Sequence, residues 1–349
     1  MSRVIEGDTT ITRCTTSNLC ASKDLRVSDS GATVLRLTIE LADGWSVDVV
    51  LKVLSPDSVN IFKIDEKFRA RKWEIALMRW WGEQGIPQIP IIYDTRAEHT
   101  AREYWILHEY FPHIGWAKKG KSGDIAAMEC LMEHVACLHA YSRKRIEELR
   151  ALLSGDDTVP GELYTPPALL NALDAVLADA NFLTKTVGLS DNELKVISNC
   201  MNLISDRPTW VDEWDFVCVN RDFSAINTAV KDTPDGPQLV SFDWGAAHIG
   251  PIEHDFDVLL GRDLKVDKPT QDVLVRLYLE SYGSLTGHKI DFEIFMARIP
   301  WARLTLMLGY TMEHLNTLKW MPWQSRSVYF IHLFLDLAER IAAEIKQKK

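Results

Sequence analysis

Three polar residues bracket one short stretch of this chain in a way that suits phosphate chemistry. Asp222 and Asn227 come just before one apolar run, and Asp243 comes just after a second. Between the runs lies Asp232-Thr233-Pro234-Asp235-Gly236, a turn cluster, so the stretch predicts a β-hairpin. A hairpin returns the chain to its start and lets side chains at its two mouths converge. Two carboxylates and an amide at one point can hold a Mg2+ that carries phosphate oxygens, with one carboxylate left to take a proton. Taken singly, Asp and Asn at strand ends are ordinary turn residues. The spacing of all three together favours a site.

That order resembles the catalytic and metal-binding loops of the protein-kinase-like phosphotransferases, where an Asp, an Asn five residues later, a hairpin and a second Asp before Gly follow in turn. Here these are Asp222, Asn227 and Asp243, the last in Asp243-Trp244-Gly245. The step Gly250-Pro251-Ile252-Glu253-His254-Asp255 makes the stretch look more like the small-molecule branch, the aminoglycoside phosphotransferase and choline kinase-like family. That family has His two residues before the catalytic Asp, and Asn220 stands there. The resemblance implies an α+β fold, bilobal and protein-kinase-like, with a small β-rich N-lobe and a large, mainly helical C-lobe. It implies transfer of the γ-phosphoryl of ATP or GTP to a hydroxyl of a small molecule. Asp222 would orient that hydroxyl and accept its proton, while Asn227 and Asp243 would hold Mg2+. Asp255 is expected to brace the catalytic loop, and Arg221 to brace it too or to offer charge to a phosphate. Asn220 and the lack of a Gly-rich loop motivate the alternative, a kinase-shaped nucleotide-binding or regulatory module without transfer activity.

The elements that would position these residues begin with strands. Residues 1 to about 25 are polar, rich in Thr and Ser, and carry little signal. Residues 33–41 and 46–54 alternate as strands about the turn Ala42-Asp43-Gly44. Before them, Ser30 and Gly31 sit in a small, polar stretch whose backbone N–H groups could approach phosphates. Lys52, late in the second strand, resembles the kinase strand Lys that contacts the α- and β-phosphates, and in the family a helical Glu pairs with it. On the next helix Trp73, Ala76, Leu77, Trp80 and Trp81 form one apolar face. Glu74 lies beside that face and sits better than its rival Glu66, with a solvated helix surface as the alternative. Residues 91–93 and 104–107 read as strands. The second leads into His108-Glu109-Tyr110-Phe111-Pro112, which resembles the hinge between kinase lobes. Glu109 and Phe111 therefore join the nucleotide-binding candidates. The boundary falls near Phe111: 1–111 as the nucleotide-binding lobe, 112–349 as the catalytic and substrate-binding lobe.

Beyond that boundary the pattern is helical. Met128, Leu131, Met132, Val135, Leu138 and His139 mark one amphipathic helix, with His139 read as a packed core histidine. Residues 154–168 read as a surface loop. An acidic, aromatic run contains Asp212, Glu213 and Trp214, and the C-terminal helices carry Glu313 and Trp320. In the small-molecule branch the C-terminal helices build the acceptor pocket, where acidic groups bind ammonium groups and aromatic faces can hold a cation, so the resemblance implies these five as the substrate candidates. Core tryptophans beside a solvated acidic face are the alternative. Apolar residues at 331, 334, 335, 338, 341, 342 and 345 make a continuous buried helix face.

The chain's 349 residues allow one large or two medium domains with a sizeable core. A net charge of -10 argues against general binding to nucleic acid or to acidic membrane surfaces, which need a positive field. It suits a cationic small-molecule acceptor. The six cysteines show no CxxC spacing. Cys130 and Cys137 fall two turns apart on one helix, too far to bridge. A reduced, cytoplasmic chain is the simplest expectation. The N-terminus lacks the apolar core of a signal peptide, and no apolar run reaches membrane-spanning length. Monomer and homodimer are equally compatible with these residues, as are several acceptors.

Overall fold

The computed structural model describes residues 11–18, 32–54, 69–98, 101, 103–111, 125–154, 165–179, 181–223, 227–234, 236–260, 267–320 and 325–348. The chain forms two compact units: Met1–Trp116 with Ile226–Gly245, and Ala117–Ala225 with Ala246–Lys349.

The first unit is built on a five-stranded antiparallel sheet. Its strands are β1 (Ile11–Asn18), β2 (Ala32–Leu41), β3 (Ser46–Leu54), β4 (Ile92–Glu98) and β5 (Glu103–Glu109), in the order β1-β2-β3-β5-β4. β2 and β3 are the two alternating runs, and Gly44 takes φ +85° in the turn between them. β1 is the strand that polar composition hides. It pairs with β2 from Ile11↔Leu41 to Asn18↔Leu35, at the sheet edge, where the backbone ladder rather than an apolar face holds a strand. On central β3, Lys52 lies opposite Val34 of β2 and Ile106 of β5.

Helix α1 (Arg69–Gln84) packs against β4 and β5. Leu77 and Trp81 of its apolar face are fully buried, which stabilises by roughly 1.5–3 kcal/mol for a side chain such as Leu. The hairpin of β7 (Thr228–Thr233) and β8 (Gly236–Ser241) also belongs to this unit. Gly236 takes φ +111° at its turn, a conformation that glycine adopts without strain. The Ser241 amide donates to the Gln88 carbonyl at 2.9 Å. The Trp81 and Trp244 rings lie 5.3 Å apart, and Phe111 packs with Ala229, Val240 and Phe242.

The second unit is mainly helical: α2 (Ile125–Lys144), α3 (Ile146–Ser154), α4 (Pro166–Leu177), α5 (Asp191–Ser205), α6 (Glu253–Val258), α7 (Lys268–Thr286), α8 (Phe292–Trp320) and α9 (Ser325–Lys348). A two-stranded antiparallel ribbon, β6 (Phe216–Val219) with β9 (His248–Pro251), lies among them. The α4 helix begins inside the stretch expected to be loop as far as residue 168. Its two opening prolines sit where a helix has no use for their missing N–H groups, so they start the helix rather than delay it. Residues 155–164 of that stretch lie outside the described residues. Helices α4, α5, α8 and α9 share one core that includes Leu173, Ile197, Leu308 and Leu335. The expected face of α9 is buried at Ile331, Leu335, Ala338, Ile341, Ala342 and Ile345, with Phe334 packed at its margin. A small β-rich unit and a larger helical one make an α+β architecture. Among the described residues no helix is long and apolar enough to cross a membrane.

Candidate active site

In the first unit, sheet, helix and hairpin each contribute one charged group to a single cluster. Lys52 Nζ lies 2.5 Å from Glu74 Oε1 and 2.7 Å from Asp243 Oδ1. The Lys52 and Glu74 side chains are nearly buried, at 12% and 5% exposure, whereas Asp243 is 48% exposed. One carboxylate therefore fixes the ammonium from inside and the other faces outward. Burial works against the Lys52 charge, but Asp243 and then Glu74 outweigh it, so the ammonium is held above its ordinary range. The same ion pair, led by Lys52, draws the Asp243 carboxyl below its ordinary range. Glu74 is not on a solvated surface, because Lys52 compensates its burial. Gly245 leaves it room: a Cβ there would lie 3.2 Å from Glu74 Oε2.

Asp243 has φ +61°, in the left-handed region where Asp and Asn are the most tolerated side chains after glycine. Such strain is a recurrent mark of functional positions. Asn227 is buried at the opposite mouth of the hairpin, and its carbonyl accepts the Phe242 amide at 3.0 Å. The hairpin thus brings the backbones of the two expected metal-binding positions side by side. Beside the cluster lies a cavity of about 120 Å³ lined by Val34, Val50, Lys52, His108, Phe111 and Phe242, with Asp243 at its margin. Burial pushes His108 down to about 4, so it is neutral. Its Nδ1 donates to the Glu109 carbonyl at 2.8 Å. The Glu109 carboxylate is turned to Lys231, 2.8 Å away. Ser30 and Gly31 lie outside the described residues.

In the second unit, the loop after β6 carries Asp222. Asp255, fully buried, accepts the Asn220 amide at 3.1 Å with Oδ2 and the Arg221 amide at 2.5 Å with Oδ1. His139 Nε2 donates to the same Oδ2 at 2.9 Å, and its Nδ1 lies 2.8 Å from the Tyr278 hydroxyl. His139 is thus a core histidine that supports Asp255. Asn220, also fully buried, accepts the Asp222 amide on its side-chain oxygen at 3.0 Å. An amide side chain at this position therefore still fixes the backbone of the aspartate. Sequence reasoning did not see that contact, although an Asn two residues before a loop aspartate is the signal for such a turn.

The substrate candidates are scattered in role. Asp212 pairs with Arg207 at 2.6 Å, and Glu213 is exposed, 3.6 Å from Arg298. Trp214 is buried in the helical core beside Phe216. Glu313 Oε1 lies 3.8 Å from Arg221 Nη1. The side chain of Trp320 lies outside the described residues. Burial pushes the Tyr310 hydroxyl up to about 12; Arg221 opposes this, and Glu313, Asp257 and Asp222 add to it.

No protein-family model matches the chain, and no curated protein matches it in sequence. Its fold is nonetheless shared with known structures. An ethanolamine kinase from Plasmodium vivax is 11% identical with a TM-score of 0.56, over 93% of this chain and 81% of that one. A candidate aminoglycoside phosphotransferase from Ralstonia eutropha is 12% identical with a TM-score of 0.54, over 98% of this chain and 96% of that one. At such identities the likeness establishes the kinase-like fold, the one expected from the motifs around Asp222 and Asp243.

Proposed function

We propose that this chain is a small-molecule kinase that transfers the γ-phosphoryl of ATP or GTP to a hydroxyl of an amine-bearing acceptor. The observation that carries the reading is the Lys52–Glu74–Asp243 cluster beside a small, largely apolar cavity. A cavity of this size suits a planar base rather than a whole nucleotide, with phosphates reaching toward Lys52. The two structures of like fold are described as acting on ethanolamine and as a candidate for aminoglycosides, both amine-bearing, which supports the choice of acceptor.

The donors fit a hard cation. Asp243 offers a half-exposed carboxylate and Asn227 an amide oxygen. Among the described residues no three His, Cys, Asp or Glu side chains cluster as a metal site. Magnesium is usually held by one or two protein groups plus phosphate oxygens and water, so the pair is sufficient. When bound, the ion would neutralise charge on the β- and γ-phosphates. Lys52 positions the α- and β-phosphates, and Glu74 fixes Lys52. Asp222 orients the acceptor hydroxyl and takes its proton as the oxygen bonds to the γ-phosphorus and the bridging oxygen leaves with the nucleoside diphosphate. Asp255 holds the loop that carries Asp222. The five described cysteines are free, in keeping with a cytoplasmic setting.

ADP release, measured with Mg2+, ATP or GTP and a panel of ethanolamine, choline and aminoglycosides, tests the reading. Acceptor-dependent release is expected. Tight nucleotide binding with no transfer to any acceptor would instead identify a catalytically silent nucleotide-binding module.

A further inference from the structure

The residue before Asp222 sits in a conformation that is costly for it. Arg221 has φ +61°, in the left-handed region that glycine enters freely and most side chains avoid. It is held there at several points. Its amide is bound by Asp255. Its Nε donates to the Ala246 carbonyl at 2.6 Å. Its guanidinium carbon lies 4.9 Å from the centre of the Tyr310 ring, and Nη1 lies 3.8 Å from Glu313 Oε1. Tyr310 and Glu313 are three residues apart on α8, so one face of that helix receives the guanidinium. The side chain is only 3% exposed. The Tyr310 hydroxyl lies in the field of both Arg221 and Asp222, which places helix face, arginine and aspartate in one neighbourhood.

We propose that Arg221 is a positioning residue. Anchored on Tyr310 and Glu313, it sets the Asp222 carboxylate toward the acceptor hydroxyl. This rests on the phosphoryl-transfer reading of Asp222. The guanidinium lies over the ring while its Nε–H donates to a carbonyl and its charge faces a carboxylate, a combination an ammonium cannot make. Glu313 then acts through Arg221.

Arg221→Gly is the informative variant, because it removes the anchor and relieves the left-handed strain together, so the fold is expected to survive. Steady-state transfer to whichever panel acceptor turns over should show kcat reduced roughly tenfold to a hundredfold, the scale of a misplaced reacting group. KM for ATP and the melting temperature should hardly move, and Arg221→Lys should fall between the two. Hydrogen exchange at the amides of residues 219–223 should accelerate in Tyr310→Leu, which leaves residue 221 itself intact. With active wild type, a kcat within about twofold of normal in Arg221→Gly overturns the proposal. If wild type binds Mg·ADP but transfers to no acceptor, the transfer reading fails and exchange decides the anchor: unchanged exchange in Tyr310→Leu refutes it, faster exchange upholds it.

Discussion

Replacing Glu253 by Gln should stabilise the protein at pH 8 and leave it nearly unchanged at pH 5. Glu253 opens α6 and is fully buried. Neither carboxylate oxygen has a hydrogen-bond partner among the described residues, and Arg298 Nη1 stands 4.0 Å from Oε1. Burial raises the acid from 4.5 to about 7; its own backbone N–H and then Arg298 oppose this, and Asp215 adds to it. Because the folded value is the higher one, folding takes up a proton. The stability contributed by the neutral acid is fully present below about pH 4.5 and is lost as pH rises through about 7. The span between the two values corresponds to roughly 3 kcal/mol, most of it falling between pH 5 and pH 8. Gln keeps the shape and cannot ionise. Urea denaturation of wild type and Glu253→Gln at both pH values isolates the effect, since every other group is common to the two proteins. The advantage of the variant should grow by roughly 2–3 kcal/mol from pH 5 to pH 8. An advantage that is the same at both values would refute an uncompensated buried carboxylate.

Two further outcomes follow from single contacts. A Cβ at residue 250 would lie 2.5 Å from His248 Nε2 and 2.7 Å from His254 Nδ1, which are 2.9 Å from each other. Gly250→Ala should therefore separate this buried pair and destabilise by about 1–3 kcal/mol, the usual scale for overpacking, read as a lowered urea midpoint. Asp243→Asn keeps a residue that tolerates φ +61° but removes the charge. It should fold normally and lose Mg2+-dependent nucleotide binding by calorimetry.

Much of the fold was legible because burial and period coincide. The Trp-rich face of α1 and the α9 stripe each place apolar residues where packing needs them, whereas β2 and β3 fall where the sequence alternates although burial along them does not follow that alternation. The hairpin was legible from its turn cluster. What was hidden depends on contacts far away in sequence. Polar β1 is a strand only because β2 supplies its ladder. Glu74 could have been solvated until Lys52, 22 residues earlier, claimed it. The order of Lys52, Glu74, Asp222, Asn227 and Asp243 pointed to a site, but composition could not show that Asn220 fixes the Asp222 amide. Nor could it show the left-handed backbone at Arg221 and Asp243, which neither residue type demands.

The most direct test separates binding from transfer in one variant. Asp222→Ala should bind Mg·ATP with wild-type affinity by calorimetry while transfer to the accepted amine falls by ~10²–10⁴-fold, the contribution expected of a positioned proton acceptor. Turnover kept above about a hundredth of normal would contradict the assignment of Asp222.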